Sequence, residues 1–230
     1  MFHLAKKYLC GTGIVLLGLF MISPLYAASH TAPANRVYVG VSGGINTLSN
    51  LSYSTGLAES SIDVKSRYGF NGQFAVGYLW HPFRIEAAYL YQHNQVDEIA
   101  QANTRFSNPS GRMTVQGPFL NLYYDWYQAN PNIVPYLGVG LGLAHVSGHA
   151  TSDTLNDVAS VSNNSLALQA MLGVHYALTC HWALQMDYRF LHVNRVEFTG
   201  RSLVNPTTQF DGRRDHLNSH SANVGLAYYF

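Results

Sequence analysis

The sequence is poor in cysteine and in charged residues. Its two cysteines are Cys10 and Cys180, and we expect the first to be lost with an N-terminal secretory signal. Neither an intramolecular disulfide nor a cysteine-based metal site is therefore expected. Charged residues make up 11% of the chain, against about a quarter in an average soluble domain. A surface with so few charges does not face mainly water.

Basic residues are also scarce, and this bears on the partners of the protein. Without Lys6 and Lys7 of the N-terminal segment, 11 of the 13 lysines and arginines remain, against 12 aspartates and glutamates. Lys65 is then the only lysine. This balance gives no basic footprint for nucleic acid, so we expect no nucleic-acid partner.

The N-terminal segment has the pattern of a secretory signal peptide. Two lysines precede an apolar run over residues 9–22, and the small residue Ala27 offers a cleavage position. The apolar run has 14 residues, fewer than the roughly 20 that a membrane-spanning helix needs. We predict a cleaved signal over residues 1–27 and one mature domain over residues 28–230, with no cofactor.

The mature segment consists of strands in which apolar residues alternate with small or polar ones. In residues 68–80 one face carries aromatic and aliphatic side chains, and the other carries Gly, Ala, Asn and Gln. This period of two recurs along the chain and indicates β-strands with two different faces. The eight predicted strands are residues 37–45, 68–80, 83–92, 115–126, 133–144, 166–176, 182–191 and 222–230.

The connections between these strands alternate in length, which favours a transmembrane barrel over a soluble β-sandwich. Small inward-facing residues also suit the narrow interior of an eight-stranded barrel. We predict an all-β, eight-stranded antiparallel up-and-down barrel with both termini periplasmic and four long external loops. The short turns lie near residues 81–82, 127–132 and 178–181, and the long connections span residues 46–66, 93–114, 145–164 and 192–220.

Aromatic residues cluster at the strand ends that meet the short turns. Amphipathic rings favour the headgroup level of a bilayer, so such a cluster is typical of an interfacial girdle. We predict that the periplasmic girdle consists of Tyr78, Trp80, Phe83, Trp126, Tyr176 and Trp182.

Several of the strands resemble those of the small eight-stranded outer-membrane barrels, the opacity-protein type and the transmembrane domain of the OmpA superfamily. Residues 133–142 have the Pro-Tyr and alternating glycines of that family, and residues 83–89, 121–125 and 187–190 are similar to its usual strands. The resemblance implies a location in the outer membrane of a Gram-negative bacterium, in contact with lipid and lipopolysaccharide. It also implies that the barrel-assembly machinery reads a C-terminal signal formed by Val224, Leu226, Tyr228 and Phe230.

Five ionisable residues share the parity of the small, inward-facing residues. Unpaired charge in a narrow lumen is strongly unfavourable, so we expect these residues to pair with one another. We predict a salt-bridge network that plugs the lumen, and the alternative is a gated path for small ions, as in a narrow porin. The five residues are Arg84, Glu86, Asp125, Asp187 and Arg189.

One histidine and serine cluster raises an enzymatic alternative. His216, Ser219, His220 and Ser221 resemble the membrane-facing His–Ser arrangement of eight-stranded enzymes that modify lipid A. A hydrolase also needs an acidic residue that orients the histidine and an oxyanion site, and we identify neither in the sequence. We therefore predict no catalytic residues.

The four long loops are rich in serine, asparagine and threonine, which is typical of solvated segments. His145, His149 and Asp153 share one loop, but their spacing is not diagnostic of a metal site, and we predict none. Arginines in the fourth loop are candidates for contacts with lipopolysaccharide phosphates. We predict a non-enzymatic, adhesin-like or opacity-like protein whose loops contact a host or surface ligand.

Overall fold

The computed structural model describes residues 35–49, 51–54, 61–66, 68–101, 104–105, 110–127, 132–152, 155–201 and 209–230. The predicted signal peptide lies outside these residues. The regular secondary structure of the described residues consists of eleven β-strands. No helix of the described part is long and apolar enough to cross a membrane.

Eight of the strands are long and form a barrel, and three short strands (β2, β3 and β6) extend one of its ends. In chain order the strands are β1 (Arg36–Leu48), β2 (Leu51–Ser54), β3 (Ser61–Ser66), β4 (Gly69–Trp80), β5 (Phe83–Gln101), β6 (Thr104–Arg105), β7 (Ser110–Asp125), β8 (Ile133–Ser152), β9 (Leu155–Ala177), β10 (Trp182–Arg201) and β11 (Gln209–Tyr229).

The sheet closes on itself. Each barrel strand pairs antiparallel with the next barrel strand along the chain, and β1 pairs with β11 from Tyr38 opposite Tyr229 to Leu48 opposite Ser219. Closure satisfies the backbone hydrogen bonds of every barrel strand and leaves no edge, which is what a bilayer requires of a sheet. The structure therefore confirms the predicted eight-stranded antiparallel barrel.

The two ends of the barrel differ. One end, here called the turn end, carries the connections near residues 81–82, 126–132 and 178–181, together with the start of β1 and the end of β11. The opposite end, the hairpin end, carries the long connections.

The predicted strand ends at the hairpin end are wrong, because the strands continue well into the segments expected to be loops. The pair Leu143 and Leu166 marks the end of the apolar alternation on β8 and β9, yet pairing continues to Ala150 opposite Ala159. Backbone pairing does not need apolar side chains once the hairpin has left the bilayer. The alternation of apolar and polar residues therefore marks only the part of each strand whose outward face is apolar. It underestimates the length of the strand.

The outward face carries a continuous apolar belt. Phe74, Val139 and Leu120 are each more than half exposed, and none of them contributes to an interior core. A soluble monomer rarely exposes an apolar surface of this extent, whereas hydrocarbon accommodates it. The belt therefore argues against a soluble sandwich. Its further members are Val41, Ile45, Phe70, Leu122, Leu137, Leu141, Leu143, Leu166, Leu168, Leu172, Met186, Tyr188, Val224 and Leu226.

Candidate functional site

The inside of the barrel at the turn end is organised around the buried Arg84 of β5. Its Nε donates to both carboxylate oxygens of Asp125 on β7, at 2.9 and 2.7 Å. Its guanidinium carbon also lies 5.8, 4.5 and 5.0 Å from the ring centroids of Tyr38, Tyr123 and Tyr136. An ion pair and neighbouring aromatic rings together stabilise a guanidinium away from water.

Glu86, two residues further along β5, is held by neutral donors. Its carboxylate accepts hydrogen bonds from the hydroxyls of Tyr38 and Tyr123, at 2.8 and 3.1 Å. It also accepts from the side-chain amides of Asn121 and Gln73, at 2.8 and 3.2 Å. The sequence predicted salt bridges for this residue, but four hydrogen bonds of this kind also stabilise a buried carboxylate.

The remaining two predicted residues, Asp187 and Arg189, lie on β10 and connect to the first group through Gln73. Arg189 Nη2 is 3.6 Å from Asp187 Oδ1, and Arg189 Nη1 donates to Gln73 Oε1. The Gln73 amide nitrogen in turn donates to Glu86, while Asp187 accepts from Asn223 at 2.7 Å. All five predicted charges thus belong to one buried network, and its role as a plug stays a prediction.

Sequence reasoning missed the neutral members of this network. Their inward parity is visible in the alternation, but parity does not tell which inward residues meet across the lumen. The missed residues are Tyr38, Gln73, Asn121, Tyr123, Tyr136 and Asn223.

Inward-facing glycines make room for the lumen rings. An ideal Cβ built on any of four glycines would lie 2.3 to 2.5 Å from an atom of a neighbouring ring, too close for ordinary packing. Two of the three alternating glycines of β8 therefore reflect the tyrosine and phenylalanine beside them. The pairs are Gly77 with Tyr38, Gly138 with Tyr123, Gly142 with Phe119, and Gly173 with Tyr136.

A second, apolar layer, here called the apolar collar, lies inside the barrel toward the hairpin end. Its side chains come from seven of the eight barrel strands and pack as one buried cluster. On the β1–β5 side the buried Asn46 donates to Asn94 at 2.6 Å. The apolar collar consists of Leu48, Leu90, Met113, Val115, Phe119, Ala144, Val146, Ala167, Leu191, Val193, Val196 and Leu217.

The predicted girdle and C-terminal residues all lie toward the turn end or along β11. Trp182 contacts Tyr228 at 5.0 Å between ring centroids, and Phe230 donates its backbone N–H to Val37 at 3.0 Å. The six girdle side chains, Tyr78, Trp80, Phe83, Trp126, Tyr176 and Trp182, are exposed on the outward face. Their role at a membrane interface, and that of Val224, Leu226, Tyr228 and Phe230 as an assembly signal, stay predictions.

The structure separates the histidine and serines of the enzymatic alternative. Ser219 and Ser221 are buried and share the inward parity of β11. His216 has outward parity, as does His220, which lies between the two serines. The Nδ1 of His220 lies 2.6 Å from the hydroxyl of Tyr188. His220 therefore does not form a His–Ser pair with either neighbour.

The loop histidine of the metal alternative is engaged in a different contact. His145 Nδ1 lies 2.8 Å from Asn164 Oδ1, while Asp153 and the side chain of His149 lie outside the described residues. In the described part of the chain, no three His, Cys, Asp or Glu side chains are grouped to hold a metal ion.

Comparisons with known proteins agree with this architecture. The protein is 26% identical over 218 residues to outer membrane protein PagN of Salmonella typhimurium, covering 87% of this chain and 88% of PagN. An uncharacterized protein of Brucella abortus is 28% identical over 140 residues, covering 53% of this chain and 49% of its own.

Solved structures show the same fold. Neisserial surface protein A superposes with a TM-score of 0.54 at 20% identity, covering 84% of this chain and 97% of its own. Outer membrane protein OprG from Pseudomonas aeruginosa gives a TM-score of 0.56 at 14% identity, with coverages of 86% and 96%. The family model described as "Outer membrane protein beta-barrel domain" matches residues 12–230. The chain therefore belongs to this family and is a β-barrel protein of the outer membrane.

Proposed function

We propose that this protein is a non-enzymatic surface-interaction protein of the adhesin-like or opacity-like kind. Its external hairpins carry the contacts with host or surface ligands, and its closed barrel anchors them in the membrane. The observation that carries the proposal is the combination of buried polar and apolar layers inside the barrel with strands that extend far beyond the apolar belt.

The β8–β9 hairpin shows this extension most clearly. β9 has 23 residues, whereas a barrel strand needs only about 9 to 11 to cross the bilayer. Leu166 is the exposed apolar residue nearest the hairpin end among the described side chains of β9, and the strand begins at Leu155. At about 3.3 Å per residue this is roughly 36 Å of strand beyond Leu166. A paired hairpin of that length offers a long stretch of backbone beyond the apolar belt for contacts with a ligand.

Two layers across the lumen support a closed barrel over the narrow-porin alternative. The Arg84 layer fills the turn end with an ion pair and three tyrosine rings, and the apolar collar fills the hairpin end. An apolar constriction excludes water and ions even without a charge barrier. Similarity to a barrel whose name describes it as a surface protein agrees with a surface role.

Hairpin shortening tests the surface role. Ser147 and Ser162 are directly paired, so replacing residues 148–161 by Asn-Gly keeps the register and removes the outer part of the hairpin. Bacteria that display this variant, and equivalent variants of the other hairpins, are compared with the full protein for adherence to cultured host cells. We expect at least one shortened hairpin to reduce adherence severalfold while heat-modifiable gel migration shows a folded barrel. Unchanged adherence for every shortened hairpin would contradict the proposal.

Two further measurements separate the alternatives. In planar bilayers we expect no steady single-channel steps from the full protein, and none from Arg84→Ala, because the apolar collar remains in place. Steps that scale with salt and change in Arg84→Ala would favour the porin. Mass spectrometry of lipid A from overexpressing cells tests the enzyme, and loss of an acyl chain that depends on His220 would overturn the non-enzymatic assignment.

A further inference from the structure

Histidines occupy one particular level of the outward face. On four of the eight barrel strands, the first polar outward side chain beyond the apolar belt at the hairpin end is a histidine. These residues, here called the outer histidine belt, are His93 on β5, His145 on β8, His192 on β10 and His220 on β11. All four side chains are partly exposed.

The apolar belt on β8 shows where this level lies in the membrane. Its exposed outward residues run from Ile133 at the turn end to Leu143, and His145 follows as the next outward position. At about 3.3 Å per residue and the usual strand tilt, that run spans roughly 25 Å along the membrane normal, the height of the apolar band in such barrels. The outer histidine belt therefore lies at the headgroup level of one leaflet.

The four histidines share a contact pattern in which Nδ1 meets a neutral oxygen of an adjacent strand. His145 Nδ1 lies 2.8 Å from Asn164 Oδ1, and His192 Nδ1 lies 2.7 Å from Asn218 Oδ1. An amide oxygen only accepts, so each contact is a hydrogen bond when Nδ1 carries the hydrogen, and Nε2 is then the nitrogen that gains a second proton. Protonation then turns Nε2 from an acceptor into a charged donor.

The two remaining members of the belt meet hydroxyl groups. His93 Nδ1 lies 3.2 Å from Thr114 Oγ1, and His220 Nδ1 lies 2.6 Å from the hydroxyl of Tyr188. A hydroxyl both donates and accepts, so these contacts persist whether or not the imidazole is charged.

No carboxylate stands beside the belt among the described residues that pair with it. The residues directly opposite the four histidines are Phe70, Thr114, Gln116, Asn164, Leu168, Asn218, Thr47 and Phe190. At the outward positions two residues away on the same or paired strands, the titratable or charged residues are Tyr68, Tyr91, Arg112, Tyr188 and His216. A positive charge on the belt is therefore not neutralised by an adjacent acidic side chain of the described outward face.

We propose that the outer histidine belt binds the phosphate groups of lipopolysaccharide headgroups, and that it binds them more tightly as the pH falls. Lipopolysaccharide phosphates lie at the headgroup level of the outer leaflet, and phosphate oxygens accept charge-assisted hydrogen bonds. Imidazole is the side chain whose charge ordinarily changes near neutral pH, whereas the charge of a guanidinium is constant. The proposal rests on the predicted orientation, in which the hairpin end is external.

Binding of purified lipid A to the full mature chain in a neutral detergent tests the proposal. Affinity for bisphosphorylated lipid A is measured at about pH 7.5 and about pH 5.5, where imidazole is mainly neutral and mainly charged. We expect at least tenfold tighter binding at the lower pH, because each basic residue near an anionic surface contributes roughly a fivefold gain. Lipid A without its phosphates is expected to show no such difference.

Three variants assign the effect to the belt. Replacing the four belt histidines by asparagine is expected to remove the pH difference, and replacing them by arginine to give tight binding at both pH values. The matched control, His81→Asn with His181→Asn, changes two histidines at the turn end and is expected to keep the difference. Folding of the fourfold variants is judged by heat-modifiable gel migration. If they do not fold, the single variants His145→Arg and His192→Arg replace them in the assay, and each is expected to reduce the difference in lipid A affinity between the two pH values.

Several results would overturn the proposal. A full pH difference in the asparagine variant would show that other groups bind the phosphates. Loss of the pH difference in the turn-end control to the same extent as in the asparagine variant would show that the effect is not specific to the belt. Inorganic phosphate that abolishes lipid A binding at equal concentration would show a site for free anions instead of headgroups. Lipid A binding in detergent micelles does not depend on the orientation of the barrel in the membrane. Labelling of Cys180 on intact cells tests that orientation separately, so an error in the proposed histidine site is distinguished from an error in the predicted topology.

Discussion

Gly138 of β8 lies directly opposite Tyr123 of β7, and a Cβ on this glycine would come within 2.4 Å of Cδ1 of the tyrosine ring. The same Cβ would lie 2.8 Å from the terminal methyl of Met171. Tyr123 is also the ring closest to the Arg84 guanidinium and a hydrogen-bond donor to Glu86. Space at one glycine thus sets the position of the ring that joins the two charged groups.

Gly138→Ala is therefore expected to destabilise the barrel by about 1 to 3 kcal/mol, the usual range for overpacking a filled interior. Gly72→Ala is the matched control, because its Cβ would meet no atom closer than 3.8 Å. Urea unfolding of the refolded protein, followed by tryptophan fluorescence, measures both variants. Equal stability of the two variants would show that the lumen has more free space than its contacts indicate.

Removal of the Arg84 charge is expected to be more damaging than removal of the whole ion pair. Arg84→Met leaves the buried Asp125 carboxylate without its partner, which typically destabilises a protein by about 3 to 5 kcal/mol. Arg84→Met combined with Asp125→Leu removes both charges and is expected to recover part of that loss. Arg112→Met, at an exposed outward position of β7, is the control and is expected to change stability by less than about 1 kcal/mol.

The double-variant measurement also tests the ion pair itself. If Arg84→Met and the combined variant unfold at the same urea concentration, Asp125 gains nothing from the guanidinium, and the stacked tyrosines alone account for the buried cation.

The alternation of the sequence was sufficient to assign the barrel and the two faces of its strands. Arg84, Asp125 and Arg189 share the inward parity that places them in the lumen, just as Leu120 has the outward parity that places it in the belt. Parity is a local property, because side chains of a strand alternate whatever the strand pairs with.

Partners across the lumen could not be predicted in this way. Glu86 meets Gln73 and Tyr38 because of the register among β1, β4 and β5, which depends on the whole closed sheet. The strand ends at the hairpin end were also missed, since hydrogen-bonded pairing continues after the apolar signal has ended. The outer histidine belt was not recognised because its members are far apart in sequence and meet only as a level of the folded barrel.

Phe230 offers a test of the predicted assembly signal. Its ring is 66% exposed and contacts Tyr228 at 5.0 Å, so its removal leaves no interior cavity. We expect Phe230→Ala to reduce the amount of folded barrel in the outer membrane severalfold while refolding of the purified chain in detergent stays unchanged. Phe83→Ala, an exposed ring at the same end of the barrel, is the control. Equal amounts of both variants in the outer membrane would contradict a signal role for the terminal residue.

Cys180 provides a direct measurement of orientation. It is exposed in the 178–181 connection at the turn end, and the backbone N–H of Leu178 donates to Trp182 beside it. The asymmetry between short turns and long hairpins predicts that this end is periplasmic. A membrane-impermeant maleimide is therefore expected to leave Cys180 unlabelled on intact cells and to label it after the outer membrane is permeabilised. Thr151→Cys in a Cys180→Ser background places the thiol on β8 at the hairpin end, and it is expected to react on intact cells. Labelling of Cys180 before permeabilisation would show that the barrel has the opposite orientation. The outer histidine belt would then lie at the inner leaflet, away from lipopolysaccharide.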